Sequence, residues 1–465
     1  MASDRSASAG AGLPTAIAEF LPLAVVAVVL MDAATDFFPD DPLVGILTPT
    51  RLALVVGSIA LVVPVPGRRR ARLRDFRTRL DLPIVLLLLA AAATTYAGGH
   101  PTAPLRGLLS VVVCYYLVVG LRRTQPASWR AIGVLAVAGL AAASTTAFSQ
   151  VTNGIPTGFC RTGLLTDVAC DAGGDGVLIR ATGTFSNPNL LAAFLVLLLP
   201  FVLLAAVSVD DRTARTAIVV LVLVGYGALL TTFSRTGYVA GAAGLLVLGG
   251  AHWLAPRLAE RAQRRLFAVL GVLSLLLASG VIWAVSRAGN SLGVRGQAWA
   301  AALEIGAHHP LGVGLGRSGA VISATAPGDR VFVHAHNLWL NWLVEAGPLG
   351  LLAVALVALI ALATAARAAR TKSVVGTVGL ASLTGFFLMS MLDHPANLDR
   401  IDVLFWCVLA VIMADAPVAR RRPGGAPAPG PARIEPFGQG PRPVGAGVGS
   451  HRAPAPVTGG PDGEL

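Results

Sequence analysis

A histidine followed by an asparagine and two spaced glycines is the pattern in this chain that points most directly to chemistry. His336 and Asn337 are followed, after nine residues, by Gly347 and Gly350. An imidazole has an ordinary pKa of roughly 6.5, which suits it to take a proton near neutral pH. We therefore predict His336 as a general base and Asn337 as a helix N-cap. The open alternative is an interfacial histidine with glycines that allow close helix packing.

Arginines accompany this pattern in the segments between apolar runs. Arg235 lies in the short turn TTFSRTGYVA, and Arg295 lies at the start of a helix predicted over 296–308. A guanidinium can hold a diphosphate through two parallel hydrogen bonds, and a helix N-terminus adds partial positive charge. We therefore predict phosphate contacts for Arg235 and Arg295. Other arginines expected on the same side are Arg180, Arg287, Arg317, Arg330 and Arg400.

The histidines next to this pattern do not predict a metal site. His334 and His336 are two residues apart, but no cysteine or close pair of carboxylates completes a ligand set, and Asp329 is the only acid just upstream. Asp393 and His394 follow a later apolar run. We interpret them as a polar contact at a helix end, with a second acid–base pair as the alternative.

Two further groups of residues are expected to shape the fold. Cys160 and Cys170 share one loop, and a disulfide between them is possible if that loop lies outside the cytoplasm. Asn187, Pro188 and Asn189 form a motif at a predicted helix start, where proline and asparagine are favoured for structural reasons.

Composition places these residues in a membrane protein. The 465 residues are 55% hydrophobic and 13% charged, with a mean hydropathy of +0.71, whereas soluble domains are about 25% charged. Apolar runs long enough to approach a bilayer span predict an all-α polytopic fold of about twelve transmembrane helices. The predicted spans are 14–31, 43–64, 82–97, 105–121, 131–148, 188–208, 216–233, 237–255, 266–285, 337–362, 374–392 and 401–414.

Charge in the connecting loops predicts the topology. Strongly basic loops alternate with less basic ones, and basic loops favour the cytoplasm. Both termini are therefore expected in the cytoplasm, with 1–13 as the N-terminus and 14–415 as the membrane domain. The loop 286–336, which carries short helices between the ninth and tenth spans, then lies outside. The Pro/Gly-rich tail 416–465 is expected to be disordered. The net charge of +12 follows from these loops and does not indicate nucleic acid.

The motifs together resemble the O-antigen ligase and O-antigen polymerase superfamily of bacterial membrane glycosyltransferases. The resemblance rests on SNPN at Asn187 and Asn189, on SRTG at Arg235, and on Arg295 with Trp299 in the large loop. The phrase HNLWLNWLVEAGPLG completes it with the H-N-x9-G-x-x-G pattern.

The resemblance implies a function and a mechanism. His336 would deprotonate an acceptor hydroxyl, and Arg235 and Arg295 would engage the diphosphate of a polyprenyl-linked (undecaprenyl-type) glycan donor. Transfer would invert the anomeric carbon and require no metal or other cofactor. The acceptor would be a glycan, lipid or protein on the outer face of the plasma membrane.

Alternatives remain open. A repeat-unit polymerase would use the same chemistry. A transporter of a lipid-linked sugar or small ion belongs to another class, but transporters place ionisable groups near the membrane midplane. In this chain they are expected at the outer helix ends, which favours the enzyme.

Overall fold

A computed structural model describes most of the chain and leaves out its two ends and several short segments. The residues described are 13–39, 41–43, 45–64, 69–125, 128–163, 166–168, 170, 176–287, 293–397 and 399–416. The N-terminal residues 1–12 and the tail 417–465, for which a cytoplasmic location and disorder were predicted, lie outside the described residues.

Within these residues the chain forms α-helices joined mostly by short loops. The helices are α1 (Leu13–Thr35), α2 (Pro49–Val62), α3 (Leu73–Phe76), α4 (Asp81–Ala97), α5 (Ala103–Thr124), α6 (Ser128–Thr152), α7 (Pro188–Ser208), α8 (Arg212–Thr231), α9 (Arg235–Gly249), α10 (Glu260–Arg287), α11 (Gly293–His308), α12 (Ser318–Thr325), α13 (Leu338–Arg370), α14 (Val374–Met389) and α15 (Asp399–Asp415). A π-helical turn over Gly250–Leu254 extends α9.

A helix occupies each of the twelve segments predicted to span the membrane. Six described helices are long and apolar enough to cross a membrane, and four shorter ones are also apolar. The chain therefore has the character of a polytopic helical membrane protein. Twelve crossings stay a prediction.

The centre of the bundle is built by α7 and α14. Apolar residues surround α7 on all sides, as is typical of a helix buried within a bundle, and both helices are almost entirely buried. Gly385 of α14 permits close approach, since a Cβ there would lie 2.6 Å from Cγ1 of Val196 and 2.9 Å from the carbonyl oxygen of Ala240. The neighbouring helices α9 and α13 pack against this centre.

The fold is not wholly α-helical, because the loop between α6 and α7 contains a small antiparallel sheet. Its strands are β1 (Cys160–Thr162), β2 (Thr166–Val168) and β3 (Val177–Ile179), in the order β2-β1-β3. The sequence did not predict this sheet, because each strand has only three residues and too little alternation for a periodic signal. Cys160 on β1 and Cys170 are joined by a disulfide.

The loop between α10 and α13 has its own small core. Helices α11 and α12 pack against the start of α13 through buried apolar residues. The members of this core include Ala298, Ala302, Ile305, Ile322, Phe332 and Val344. The loop and the first turns of α13 therefore form one packed unit.

A single residue interrupts α13. Gly347 has φ 67° and ψ −170°, a conformation that favours glycine. The helix therefore consists of an outer segment before Gly347 and a longer segment after it.

Candidate active site

His336 lies immediately before α13, where Asn337 fixes the start of the helix. The side-chain oxygen of Asn337 accepts hydrogen bonds from the backbone N–H groups of Trp339 (2.9 Å) and Leu340 (3.0 Å). Its Nδ2 donates to the carbonyl oxygen of Met391 (2.8 Å). Asn337 therefore caps α13 and also fastens the loop after α14 to it.

This connection brings Asp393 beside His336. Nδ1 of His336 lies 3.7 Å from Oδ1 of Asp393, and Nε2 of His334 lies 3.8 Å from the same oxygen. These separations exceed a formed hydrogen bond, but catalytic contacts are often long before substrate binds. Asp393 is thus not merely the helix-end contact that the sequence indicated, because its carboxylate faces the candidate base.

Hydrogen bonding identifies which ring nitrogens carry protons. The backbone N–H of His336 donates to Nδ1 of His334 (3.0 Å), so the neutral His334 ring has its proton on Nε2. Asp393 favours a proton on Nδ1 of His336, because that nitrogen faces the carboxylate. Nε2 of His336 is then unprotonated and available as a base.

Burial and charge set the protonation of this cluster. Burial raises the pKa of Asp393, but the neighbouring His336 ring and the charges of His334 and Arg295 outweigh it and hold that pKa at about 2. Burial lowers the pKa of His334 to about 4 and that of His394 to about 3. At neutral pH a charged carboxylate therefore lies beside two neutral imidazoles.

Acid should destabilise the fold through these buried histidines. Below a pH of about 6.5 the unfolded chain binds protons on His334 and His394, whereas the folded chain does so only near pH 4 to 3. Each histidine therefore removes ~1.4 kcal/mol of stability per pH unit within that window. We expect the thermal midpoint to fall between pH 6.5 and 4, less steeply for His394→Gln. His309→Gln, at an exposed position, should leave the slope unchanged. Equal slopes for His394→Gln and the wild type would contradict this origin.

Asp393 also completes a possible metal-ligand set that the sequence did not reveal. Ligand atoms of His334, His336 and Asp393 all lie within 4.8 Å of one another. A metal binds an imidazole nitrogen that holds no proton, whereas Nε2 of His334 carries one because its Nδ1 accepts a hydrogen bond. The chemistry of these donors therefore favours an acid–base cluster over a metal site.

Arg235 lies at the first position of α9, after the N-cap Ser234. The Ser234 hydroxyl accepts a hydrogen bond from the backbone N–H of Gly237 (3.2 Å). Within the described part of the chain, the Arg235 guanidinium makes no hydrogen bond or salt bridge, although its charge interacts with those of Arg161 and Arg295. Its donors are therefore available to an anion at the positive end of a helix.

Two further arginines secure the turn that carries Arg235. Arg161 forms a salt bridge with Asp167 (2.9 Å) and donates to the carbonyl oxygen of Phe233 (3.2 Å). Arg180 lies 3.3 Å from the same carboxylate and donates to the carbonyl oxygen of Thr232 (3.0 Å). Arg161 was missed in the sequence, because only its position next to Cys160 distinguishes it.

Helix α11 connects the arginines with the histidine cluster. Nε1 of Trp299 donates to the carbonyl oxygen of His336 (3.4 Å). One turn earlier on α11, the charge of Arg295 helps to lower the pKa of Asp393 and also interacts with that of Arg235. The structure therefore brings His336, Arg235 and Arg295 into one electrostatically connected region.

Arg317 and Arg400, which were also named from the sequence, have other partners. Arg317 contacts Nδ1 of His100 (2.8 Å). Arg400 donates to two backbone carbonyl groups and pairs with Asp36 (3.4 Å). Arg330 is exposed, and the side chain of Arg287 lies outside what the structure describes.

The glycines of the motif shape the backbone. A Cβ at Gly347 would lie 2.2 Å from the carbonyl oxygen of Pro310, and a Cβ at Gly350 would lie 2.5 Å from Cβ of Ala346. Gly347 therefore lets the loop after α11 lie directly against α13. It contacts this loop, whereas the sequence had indicated packing between helices.

The asparagines of the SNPN motif also make structural contacts. Asn187 is the N-cap of α7, and its side-chain oxygen accepts from the backbone N–H of Asn189 (2.8 Å). The side-chain oxygen of Asn189 accepts from Arg180 (3.5 Å). The motif thus links the start of α7 to the arginine cluster.

Substitution of Asn337 should separate its capping role from its contact with the loop after α14. Asn337→Ala removes the cap, which costs roughly 0.5–2 kcal/mol, and releases the Met391 carbonyl group. Asn337→Asp retains the cap acceptor but cannot donate to Met391. We expect Asn337→Asp to recover stability but not activity, as measured by thermal unfolding and substrate turnover. Ser373→Ala removes the N-cap of α14 at its other end and should lower stability alone. Full activity in Asn337→Asp would contradict the positioning role.

Comparison with known proteins gives a family match for part of the chain. Residues 217–355 match the family model described as O-antigen ligase. This match contains Arg235, Arg295 and the complete HN-to-glycine motif, whereas Arg161, Arg180 and Asp393 lie beyond it. A search of curated proteins gives no match. Residues 217–355 are therefore similar to the O-antigen ligase family, which supports the resemblance that the sequence motifs indicated.

Proposed function

We propose that this protein transfers a glycan from a polyprenyl diphosphate, of undecaprenyl type, to an acceptor hydroxyl. The observation that supports the proposal is that His336, Arg235 and Arg295 belong to one electrostatically connected region. Nδ1 of His336 faces Asp393, which favours the tautomer whose Nε2 can accept a proton. Within the described residues the Arg235 guanidinium makes no hydrogen bond or salt bridge, and Arg295 interacts electrostatically with both Arg235 and Asp393.

The side chains of these residues can account for each step of the transfer. Nε2 of His336 takes the proton of the acceptor hydroxyl, and the resulting oxygen nucleophile forms a bond to the anomeric carbon. The bond from that carbon to the diphosphate oxygen breaks, and polyprenyl diphosphate leaves with the electron pair. Arg235 and Arg295 stabilise the charge that develops on the leaving group. One displacement inverts the anomeric carbon, and no step requires a metal.

Asp393 supports the base without reacting itself. Its carboxylate is ionised across the working pH range, because its pKa is about 2. It therefore holds His336 in the tautomer with an accessible Nε2 and stabilises the imidazolium that forms after proton transfer.

A narrow apolar cleft lies between α1, α6, α7 and α15. Its volume is about 60 Å³, and its lining includes Ala34, Phe194, Ile132 and Leu204. The Ala34 and Phe194 end lies near the start of α7, where Asn189 contacts Arg180. The cleft is too small to enclose an isoprenoid chain, so most of the lipid part of the donor would lie outside it.

The membrane orientation in this proposal follows the loop charges. The basic loops favour the cytoplasm, and the site lies at the opposite ends of the helices. The protein would then act on the outer face of the plasma membrane, with both termini inside.

Purified protein in nanodiscs tests the proposal with a polyprenyl diphosphate glycan and candidate glycan, lipid or protein acceptors. We expect an inverted glycosidic product together with released polyprenyl diphosphate. One added chain identifies a ligase, whereas a ladder of repeats identifies the alternative polymerase. Movement of the intact donor across the membrane with no new glycosidic bond would instead establish the transporter alternative and overturn the proposal.

A further inference from the structure

A second cavity lies beside the histidine cluster, among α2, α4, α5, α13 and α15. Its volume is about 400 Å³, within the size range of small-ligand pockets. Unlike the apolar cleft, it combines aromatic with polar walls. The side chains that give it this character are Arg51, Trp342, Glu345, His394, Asn397 and Asp402.

An unsatisfied polar atom belongs to a residue that lines this cavity. His394 is 6% exposed and lines the cavity, and its Nδ1 is buried with no hydrogen-bond partner among the described residues. Buried polar atoms are nearly always hydrogen-bonded, so a ligand hydroxyl or a water is the expected partner. His394 also connects the cavity to the site, since its ring centroid lies 5.7 Å from that of His334.

The position of the cavity matches the demands of an inverting displacement. The nucleophile and the leaving group must approach the anomeric carbon from opposite sides. The arginines occupy β1, α9, α11 and the start of the segment after β3, none of which lines the cavity. Asp393 faces His336, and the adjacent His394 faces the cavity. The histidine cluster therefore adjoins the cavity through His394, whereas the elements that carry the arginines do not line it.

We propose that this cavity binds a sugar ring of the acceptor, an inference that rests on the proposed function. The lining places one cation, Arg51, beside the acidic side chains of Glu345 and Asp402, so it has no excess of positive charge that would select a phosphate. An acyl chain would leave the polar walls without hydrogen-bond partners. A sugar has hydroxyl groups that both donate and accept, and an apolar face that packs against the ring of Trp342.

Gly107 allows the cavity to be filled without disturbing the fold. It lines the cavity on α5, and a Cβ there would meet no atom within 4 Å. Gly107→Leu therefore adds a side chain that projects into open space, and leucine is favoured over glycine in a helix. Gly271→Leu is the matched control, because Gly271 lies on α10 and a Cβ there also meets no atom within 4 Å.

Binding of methyl hexosides to protein in nanodiscs, followed by saturation-transfer NMR, tests the proposal independently of transfer. We expect wild type and Gly271→Leu to bind at least one hexoside, and Gly107→Leu to bind it at least tenfold more weakly. Donor KM in the transfer reaction should stay within twofold. Asn397→Ala, at an exposed lining position, should weaken binding severalfold and provides a second variant.

Two results would overturn the acceptor site. One is the absence of hexoside binding by the wild type, and the other is equal binding by Gly107→Leu and Gly271→Leu. Either result leaves the proposed transfer intact if the wild type still forms product. Hexoside binding with no transfer by the wild type would instead reject the proposed function.

Discussion

Replacing His336 with alanine should reduce glycan transfer by ~10²–10⁴-fold, the usual contribution of a positioned general base. The reason is that Nδ1 of His336 faces the carboxylate of Asp393, which leaves Nε2 as the nitrogen that can accept a proton. Binding of polyprenyl diphosphate should be retained, because the imidazole makes no contact that the diphosphate requires. Transfer rate and product binding would be measured on the same purified variant.

A double variant of His336 and Asp393 tests whether Asp393 acts through His336. Asp393→Asn should lower transfer in the wild-type background but cause no further loss in His336→Ala, since residues that act as a unit are strongly non-additive. Asp329→Asn, at an exposed acid upstream, should retain activity. If the two substitutions lowered the transfer rate by independent factors that multiply in the double variant, Asp393 would not act through His336. If His336→Ala transferred glycan at the wild-type rate, His336 would not be the general base.

Replacing Arg235 with alanine should weaken binding of polyprenyl diphosphate and slow transfer by roughly tenfold to 150-fold. A hydrogen bond to a charged group contributes about 1.5–3 kcal/mol, and 1.4 kcal/mol corresponds to tenfold. The guanidinium is available for this contact, since it makes no other hydrogen bond or salt bridge within the described residues. Affinity for glycan-free polyprenyl diphosphate and transfer kinetics would both be measured.

Two controls separate this contact from general charge. Arg235→Lys keeps the charge but loses the planar pair of donors, so it should recover activity only in part. Arg330→Ala removes a positive charge at an exposed position of the large loop and should leave diphosphate binding unchanged. Equal loss from Arg330→Ala and Arg235→Ala would show a diffuse electrostatic effect and contradict a specific site.

The helices were predictable because hydropathy is a local property of the chain. All twelve apolar runs form helices, with ends that differ by a few residues where caps decide the boundary. For example, the helix predicted to begin at residue 216 begins at Arg212, because Asp211 caps α8. The site was predictable only in part. His336 and Arg235 belong to short continuous motifs, whereas Asp393 reaches His336 through a loop that Asn337 fastens from another helix.

The unpredicted features depend on contacts between distant segments. Arg161 becomes part of the arginine cluster because β1 pairs with both β2 and β3 and faces the turn before α9. The His334–Asp393 pair likewise has no signal in the local sequence. Such contacts arise from tertiary packing, which residue spacing along one chain does not encode.

The interruption of α13 at Gly347 has a mechanical consequence. A continuous rod would carry every change in tilt, such as one imposed by a thicker or thinner bilayer, directly to His336. Here the outer segment is held by α11, α12 and the loop after α14, while Pro348–Arg370 follows the hydrocarbon region. We therefore expect the break at Gly347 to limit how far a change in the tilt of Pro348–Arg370 is passed on to His336.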